Sequence, residues 1–339
     1  MNILLLQLKR IGDLILTTPA LAALREKLPD AKLCLVVSPA VEELLPAIVG
    51  IDKVLVVRGK MDDVFDWLRV GWGKFDYCLD FTRNDRSSFL TLLSRARKRI
   101  TSDHRNLRTK IRARSYNEFV ESPVRLLHTV DYHLGLLKPL GIHDASPAIQ
   151  LQLPERAVEK AKQLLRTAQI DDEFMIVHPG SARSEKFWEV DRWAKLIDHC
   201  VQERQIKCII TGGSSSVEQK HIAAIKSLSR ARPNDFSGKT DLLTLAAIVR
   251  EARLLITVDS APMHFAAAWE TPQVVLFGPT NPFHWHPRSD SAVILLGASQ
   301  GAVRKFDPNQ PAVPMNQIST QSVIDAMESL LSTPAAPAL

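Results

Sequence analysis

Two series of short apolar runs, each followed by a loop and a helix-like pattern, constrain this chain more than any other feature. In the first half the runs fall at 2–8, 33–37, 53–57 and 77–80; in the second they fall at 174–177, 207–211, 253–258 and 273–277. Short continuous apolar runs suit strands buried on both faces, and such strands belong to parallel sheets. The intervening segments 19–28, 41–48, 61–70, 156–167, 190–203, 217–228 and 242–251 space their apolar residues as helices do, and a further helix starts at 263–269. Strands alternating with helices make βαβ units, so the fold class is α/β. Pro, Ser and Asp cluster over 144–154, which sets the expected boundary between a domain at 1–152 and a domain at 153–333. The Pro/Ala-rich tail 334–339 is expected to be disordered.

Two Rossmann-like domains in series are expected to face each other across a cleft, with ligands at the carboxyl ends of the strands. The chemistry is therefore sought in loops that follow strands. In Lys9-Arg10-Ile11-Gly12-Asp13, Gly12 reads as the residue that permits a tight turn. Asp13 falls near a helix start, where a carboxylate serves either as general base toward a hydroxyl or as a helix cap. His178-Pro179-Gly180-Ser181, followed by Lys186 and Trp188, reads either as a diphosphate cradle or as a polar surface loop. In Val258-Asp259-Ser260-Ala261-Pro262-Met263-His264, a strand ends and a helix begins, so free N–H groups and the positive end of a helix dipole fall beside Asp259. Asp259 also fits a helix cap, and His264 a hydrogen-bonded core histidine. Glu218, downstream of Gly212-Gly213, is placed to accept bonds from ribose hydroxyls, and Phe277-Gly278-Pro279-Thr280 reads as a structural turn.

Composition removes several classes. Hydrophobic residues are 45% and charged residues 24% of 339, as in ordinary globular proteins, and no apolar run approaches the roughly 20 residues of a membrane helix. The N-terminus lacks the charge and cleavage pattern of a signal peptide, so the expected location is cytoplasmic. The four cysteines have no C-x-x-C spacing and read as buried thiols. There is no Walker loop, H-E-x-x-H, nucleophile elbow or strand-end Asp-x-Asp. The net charge of +6 concentrates over 83–125, a stretch that reads either as a solvated helix face or as a surface for an anionic lipid, glycan, membrane or nucleic acid. Nucleic acid is disfavoured because aromatics are not interleaved with the arginines of 95–114.

Taken in order, these motifs resemble the family-nine glycosyltransferases, the ADP-heptose:lipopolysaccharide heptosyltransferases. The matching stretches are Lys9-Arg10-Ile11-Gly12-Asp13 through Thr17-Thr18-Pro19, Tyr77-Cys78-Leu79-Asp80-Phe81, His128-Thr129-Val130-Asp131, and His178-Pro179-Gly180 with Lys186 and Trp188. Residues 259–264 with Phe277-Gly278-Pro279-Thr280, and Pro314-Met315-Asn316-Gln317-Ile318, complete the set. The resemblance implies a GT-B fold with an acceptor domain at 1–152 and a nucleotide-sugar domain at 153–333. It also implies inverting transfer with no metal and no cofactor. By position, Asp13 would be the general base. Gly180, Ser181, Lys186 and the backbone of Ser260 and Ala261 would hold the diphosphate. Glu218 would hold the ribose, Thr240 would lie near the adenine, and Asp259 would contact the donor sugar, with His264 completing the motif. Arg10, Arg83, Arg86, Arg105 and Arg108 are candidates for an anionic glycolipid acceptor, with peripheral contact at the cytoplasmic face of the inner membrane. Family members often have glycine where this chain has Ala261, which permits backbone donation only at negative φ. The alternatives are another nucleotide sugar, a non-lipid acceptor, or a nucleotide-sugar epimerase on the same fold. A basic nucleic-acid-binding protein is the reading from another class.

Overall fold

The computed structural model describes residues 1–58, 64–102, 110–297 and 301–332. The chain divides into two compact units, Met1–Gln152 and Leu153–Leu339. The tail expected to be disordered lies outside the described residues.

The first unit holds β1 (Asn2–Gln7), β2 (Lys32–Val37), β3 (Lys53–Val56), β4 (Tyr77–Asp80), β5 (Lys98–Ser102) and β6 (Glu118–Val120). They form one parallel sheet in the order β3-β2-β1-β4-β5-β6. The second unit holds β7 (Phe174–His178), β8 (Lys207–Ile210), β9 (Asn234–Asp235), β10 (Leu254–Val258), β11 (Gln273–Phe277) and β12 (Ala292–Leu296). Its parallel sheet runs β12-β11-β10-β7-β8-β9. Each sheet has the same doubly wound order, in which the chain starts at the middle, runs to one edge, returns and runs to the other. That order leaves one switch point per sheet, between β1 and β4 and between β7 and β10, the place where sheets of this kind bind ligands at the strand carboxyl ends. The segments that follow these four strands carry Asp13, Arg83, Gly180 and Asp259.

The strands adjoining the switch points are the most apolar, because helices cover both their faces. Ile3, Leu4, Leu5 and Leu6 of β1 and Leu254, Leu255 and Ile256 of β10 are fully buried. In the second unit, the core gathers Trp188, Trp193 and Leu196 against Val177, Ile256 and Val274. All four cysteines are buried free thiols.

Four strands escape the sequence reading. β5 and β6 fall inside the basic stretch, where Lys98, Arg99 and Glu118 mask the strand pattern, so that stretch is not a single solvated helix face. β9 is only two residues long, and β12 is an apolar run left unassigned. The expected helix at 41–48 is a 3-10 segment, Pro39–Ala47, because Pro46 withholds an N–H inside it.

Candidate active site

In the first unit, Asp13 is the third residue of the short helix Ile11–Ile15. The turn into this helix is made by Arg10 in extended conformation, and Gly12 lies inside the helix with no left-handed φ, which corrects the tight-turn reading. The helix-cap reading of Asp13 also fails. The N-cap is Arg10, and no side chain caps this end. The Asp13 carboxylate is 18% exposed, with Lys9 Nζ 3.7 Å away. Its backbone is fixed from behind. Thr17 Oγ1 donates to the Asp13 carbonyl at 2.7 Å, and Gln7 Nε2 donates to Thr17 Oγ1 at 2.8 Å. Thr17 Oγ1 also lies 3.2 Å from Nδ1 of the buried His133, whose other Nδ1 contact is the Leu16 carbonyl at 3.1 Å. Burial, with Lys9 nearby, holds the His133 imidazole down to about 3, so it is neutral at ordinary pH. Gln7 and His133 are supporting residues that the sequence reading missed. The available signal was a glutamine ending an otherwise apolar strand.

The neighbouring loop, after β4, is tied to the first by a bond from Leu8 N to Thr82 Oγ1 at 2.7 Å. Asp80 organises it from full burial. Its carboxylate accepts from Thr82 N, Arg83 N, Ser87 Oγ and Tyr116 OH at 2.6–3.0 Å. Burial pushes the Asp80 carboxyl up while these bonds pull it down. The loop holds Arg83 at φ 60°, a strained setting for an arginine. The Arg83 guanidinium donates to Ser102 Oγ at 2.6 Å and lies 5.6 Å from the centre of the Tyr132 ring. Arg86 donates to the Val57 carbonyl, and Arg10 is exposed at the helix start. Arg105 and Arg108 lie outside the described residues.

In the second unit, the structure joins two residues that the sequence left apart. Lys186 Nζ donates to Asp259 Oδ2 at 2.5 Å and to the Asp259 carbonyl at 3.2 Å, with both side chains only 11% exposed. The pair sits at the start of helix Ala261–Ala268. Ser260 is the N-cap but makes no capping bond, its hydroxyl donating instead to the Val258 carbonyl at 3.2 Å. The positive end of the helix is thus left without a side-chain cap. Ala261 has no left-handed φ, so alanine meets the backbone requirement that the missing glycine raised. His264 is buried beside this pair with no partner for Nδ1 among the described residues, and burial holds it down to about 4.

Glu218 is also buried, and its Oε2 accepts from Gly213 N at 2.6 Å. Gly180 approaches this carboxylate so closely that a Cβ would lie 2.5 Å from Oε2. Phe187 stacks on His221 at 4.3 Å, which ties the Lys186 segment to the helix Ser216–Leu228 that carries Glu218. Gly238, at φ +68°, donates its N–H to the Gly212 carbonyl at 2.9 Å and brings the loop ending at Thr240 to the same turn. Ser181 is part-buried and accepts weakly from Arg183 N at 3.4 Å. Gly180→Ala should therefore push the Glu218 carboxylate off Gly213 N while the fold persists. A crystal structure of the variant and a thermal melt check both halves of that outcome.

Other motif residues are architectural. Trp188 is fully buried and donates Nε1–H to the Ile318 carbonyl at 2.9 Å. A Cβ on Gly278 would meet Met315 Sδ at 2.4 Å, so this turn packs on the Pro314-Met315 segment. His178 Nδ1 lies 2.9 Å from Thr211 Oγ1, and burial holds its imidazole down to about 4. His286 stacks on Phe306 at 4.1 Å.

Two doubly wound units, with polar groups gathered at the switch point of each, make up the GT-B fold class. The profile of glycosyltransferase family 9 (heptosyltransferase) matches residues 67–313, and the chain belongs to that family. Lipopolysaccharide heptosyltransferase 3 of Escherichia coli K12 is 26% identical over 330 residues, covering 94% of this chain and 95% of that protein. The crystal structure of the family 9 glycosyl transferase from Veillonella parvula is 25% identical, with a TM-score of 0.83 over 98% of this chain and 97% of that one. The E. coli heptosyltransferase WaaC with ADP is 18% identical and shares the fold, with a TM-score of 0.76 over 97% of this chain and all of that one.

Proposed function

We propose that this enzyme transfers heptose from ADP-heptose to a lipopolysaccharide-core acceptor, with inversion at the anomeric carbon and without a metal. The observation that carries this reading is the end-to-end match to a lipopolysaccharide heptosyltransferase. Each unit supplies matching chemistry. Asp13, solvent-accessible and free of capping duty, takes the proton from the acceptor hydroxyl as it attacks the anomeric carbon. Lys186 and the open start of helix Ala261–Ala268 meet the charge that grows on the leaving diphosphate. The second carboxylate oxygen of Glu218 holds the ribose, Thr240 lies toward the adenine, and Asp259 with His264 orients the donor sugar. Arg83, fixed by Ser102, and Arg86 receive anionic groups of the acceptor, with Arg10 at the helix start. No helix among the described residues is long and apolar enough to cross a membrane, and the enzyme works at the cytoplasmic face of the inner membrane through peripheral contact.

The test is transfer by the purified protein to a lipopolysaccharide-core acceptor from a panel of nucleotide sugars. ADP-heptose should support turnover at least about a hundredfold faster than UDP- or GDP-hexoses, unchanged by chelator, with an inverted product by NMR. Equal turnover with another nucleotide sugar overturns the donor assignment. A changed nucleotide sugar in acceptor-free buffer establishes an epimerase instead.

A further inference from the structure

The sheet of the first unit has one face whose helices carry more apolar surface than that unit uses. Right-handed crossovers place helices Val64–Trp72, Asp85–Leu93 and Lys110–Ala113, which follow β3, β4 and β5, on the same face. Their contacts agree. The Trp67 ring lies 5.2 Å from Phe89, Leu93 packs against Gly71, and Arg112 Nε is 3.1 Å from Asp85 Oδ1. Val70 and Leu90 are fully buried, so the inward sides of the first two helices are already packed. Outside them, Trp72 is 72% exposed, Phe89 49%, Leu92 51% and Ile111 76%. One exposed leucine is ordinary, but four large apolar side chains on three adjacent helices form a patch.

The charge around this patch selects its partner. Residues 83–125, which hold two of the three helices, carry 12 Lys/Arg against 4 Asp/Glu, an excess of 8, and the third helix, Val64–Trp72, adds one of each, Asp66 and Arg69. Arg95 and Arg97 are exposed just beyond helix Asp85–Leu93, and Arg114 is exposed just beyond Lys110–Ala113. On the central helix, the exposed acid Asp85 is neutralised by Arg112. A second copy meeting this face through a two-fold axis would set one basic stretch against another. A nucleic acid would satisfy the arginines and leave the leucine and isoleucine without partners. A bilayer with anionic headgroups satisfies both, taking the apolar side chains into the headgroup boundary and the arginines at lipid phosphate.

We propose that the face formed by these three helices docks on an anionic membrane surface, with Trp72, Phe89, Leu92 and Ile111 as the inserting residues. This rests on the reading that the acceptor is lipid-linked, and it gives the expected peripheral contact a location. The acceptor's sugar end then reaches Arg83 and Arg86, at the start of the same central helix, while its lipid stays in the bilayer.

The experiment is sedimentation of the full chain with vesicles of phosphatidylglycerol and phosphatidylethanolamine, against vesicles of phosphatidylcholine alone. Wild type should bind the anionic vesicles at least about tenfold more tightly, with the difference shrinking as salt rises. Phe89→Ser with Leu92→Ser, and separately Arg95→Glu with Arg97→Glu, should each weaken that binding on the order of tenfold. Both variants should keep wild-type transfer to a water-soluble, deacylated core acceptor, which also shows that they fold. Wild type binding both vesicles alike, or variants sedimenting as wild type does, overturns the proposal. Loss of a wild-type dimer in ultracentrifugation with vesicle binding unchanged assigns the face to a second copy and overturns it as well. Absence of transfer by wild type to the soluble acceptor would count against the heptosyltransferase reading alone, because vesicle binding is read without turnover.

Discussion

Asp13→Asn should lower kcat by roughly 10²–10⁴-fold while leaving the dissociation constant of the donor nucleotide within about twofold of wild type. The substitution keeps the shape of the side chain and removes only its capacity to accept a proton. Its structural cost should be small. The carboxylate caps no helix, and its nearest charged group, Lys9, is 3.7 Å away and 39% exposed. What holds this residue in place is its backbone carbonyl, gripped by Thr17, and Thr17 is held in turn by Gln7 beside His133. That grip is unchanged in the variant, so a fall in kcat reports lost proton transfer and not a lost loop. Wild-type kcat in Asp13→Asn, measured with saturating donor and acceptor, would remove Asp13 from the mechanism. A matching rise in donor dissociation constant would reassign it to donor binding.

Lys186→Ala should damage both stability and donor affinity, and the two effects should be separable. The Lys186–Asp259 pair is close to fully buried, so removing the lysine leaves an uncompensated carboxylate. Breaking such a pair from one side costs about 3–5 kcal/mol. Donor affinity should fall by about 10–100-fold, because the lysine is the cation proposed to meet the diphosphate. The double variant Lys186→Met, Asp259→Asn removes both charges and keeps most of the volume. It should recover much of the lost melting temperature and none of the lost affinity. Recovery of affinity along with stability would show that the lysine acts through folding alone. A Lys186→Ala protein with wild-type affinity for ADP would place the diphosphate elsewhere.

The paired charges also show where the sequence stops being informative. Lys186 and Asp259 were each legible as candidates because each follows a strand that the apolar pattern located. Nothing in their separation along the chain says that they share a proton-donating contact. That follows from β7 and β10 lying side by side at the switch point, and a strand order is not written in any one strand. Glu218 is similar. Its place beside Gly213 was readable, but its contact with Gly180 depends on the packing of the β7 loop against helix Ser216–Leu228.

Local turns were less legible than strands. Gly12 suggested a tight turn, yet the chain turns at Arg10 and Gly12 is helical, because glycine tolerates both conformations and commits to neither. Gly238, which does adopt a left-handed φ and ties its loop to the Gly212 carbonyl, carries no pattern that marks it in the sequence. The edge strand β6 and its neighbour β5 were hidden because strands near a sheet edge keep polar residues that a central strand excludes.

The sequence by itself determined the α/β class, the central strands and the loops in which chemistry had to lie, since burial on both faces demands apolar runs and strand ends are where backbone groups and charges escape the core. Only the tertiary structure decided that Lys186 meets Asp259, that Asp13 is held through Thr17 with His133 behind it, and that three helices of one face leave tryptophan, phenylalanine, leucine and isoleucine in solvent. Those are matters of which strands adjoin and which helix faces remain uncovered, and packing alone sets them.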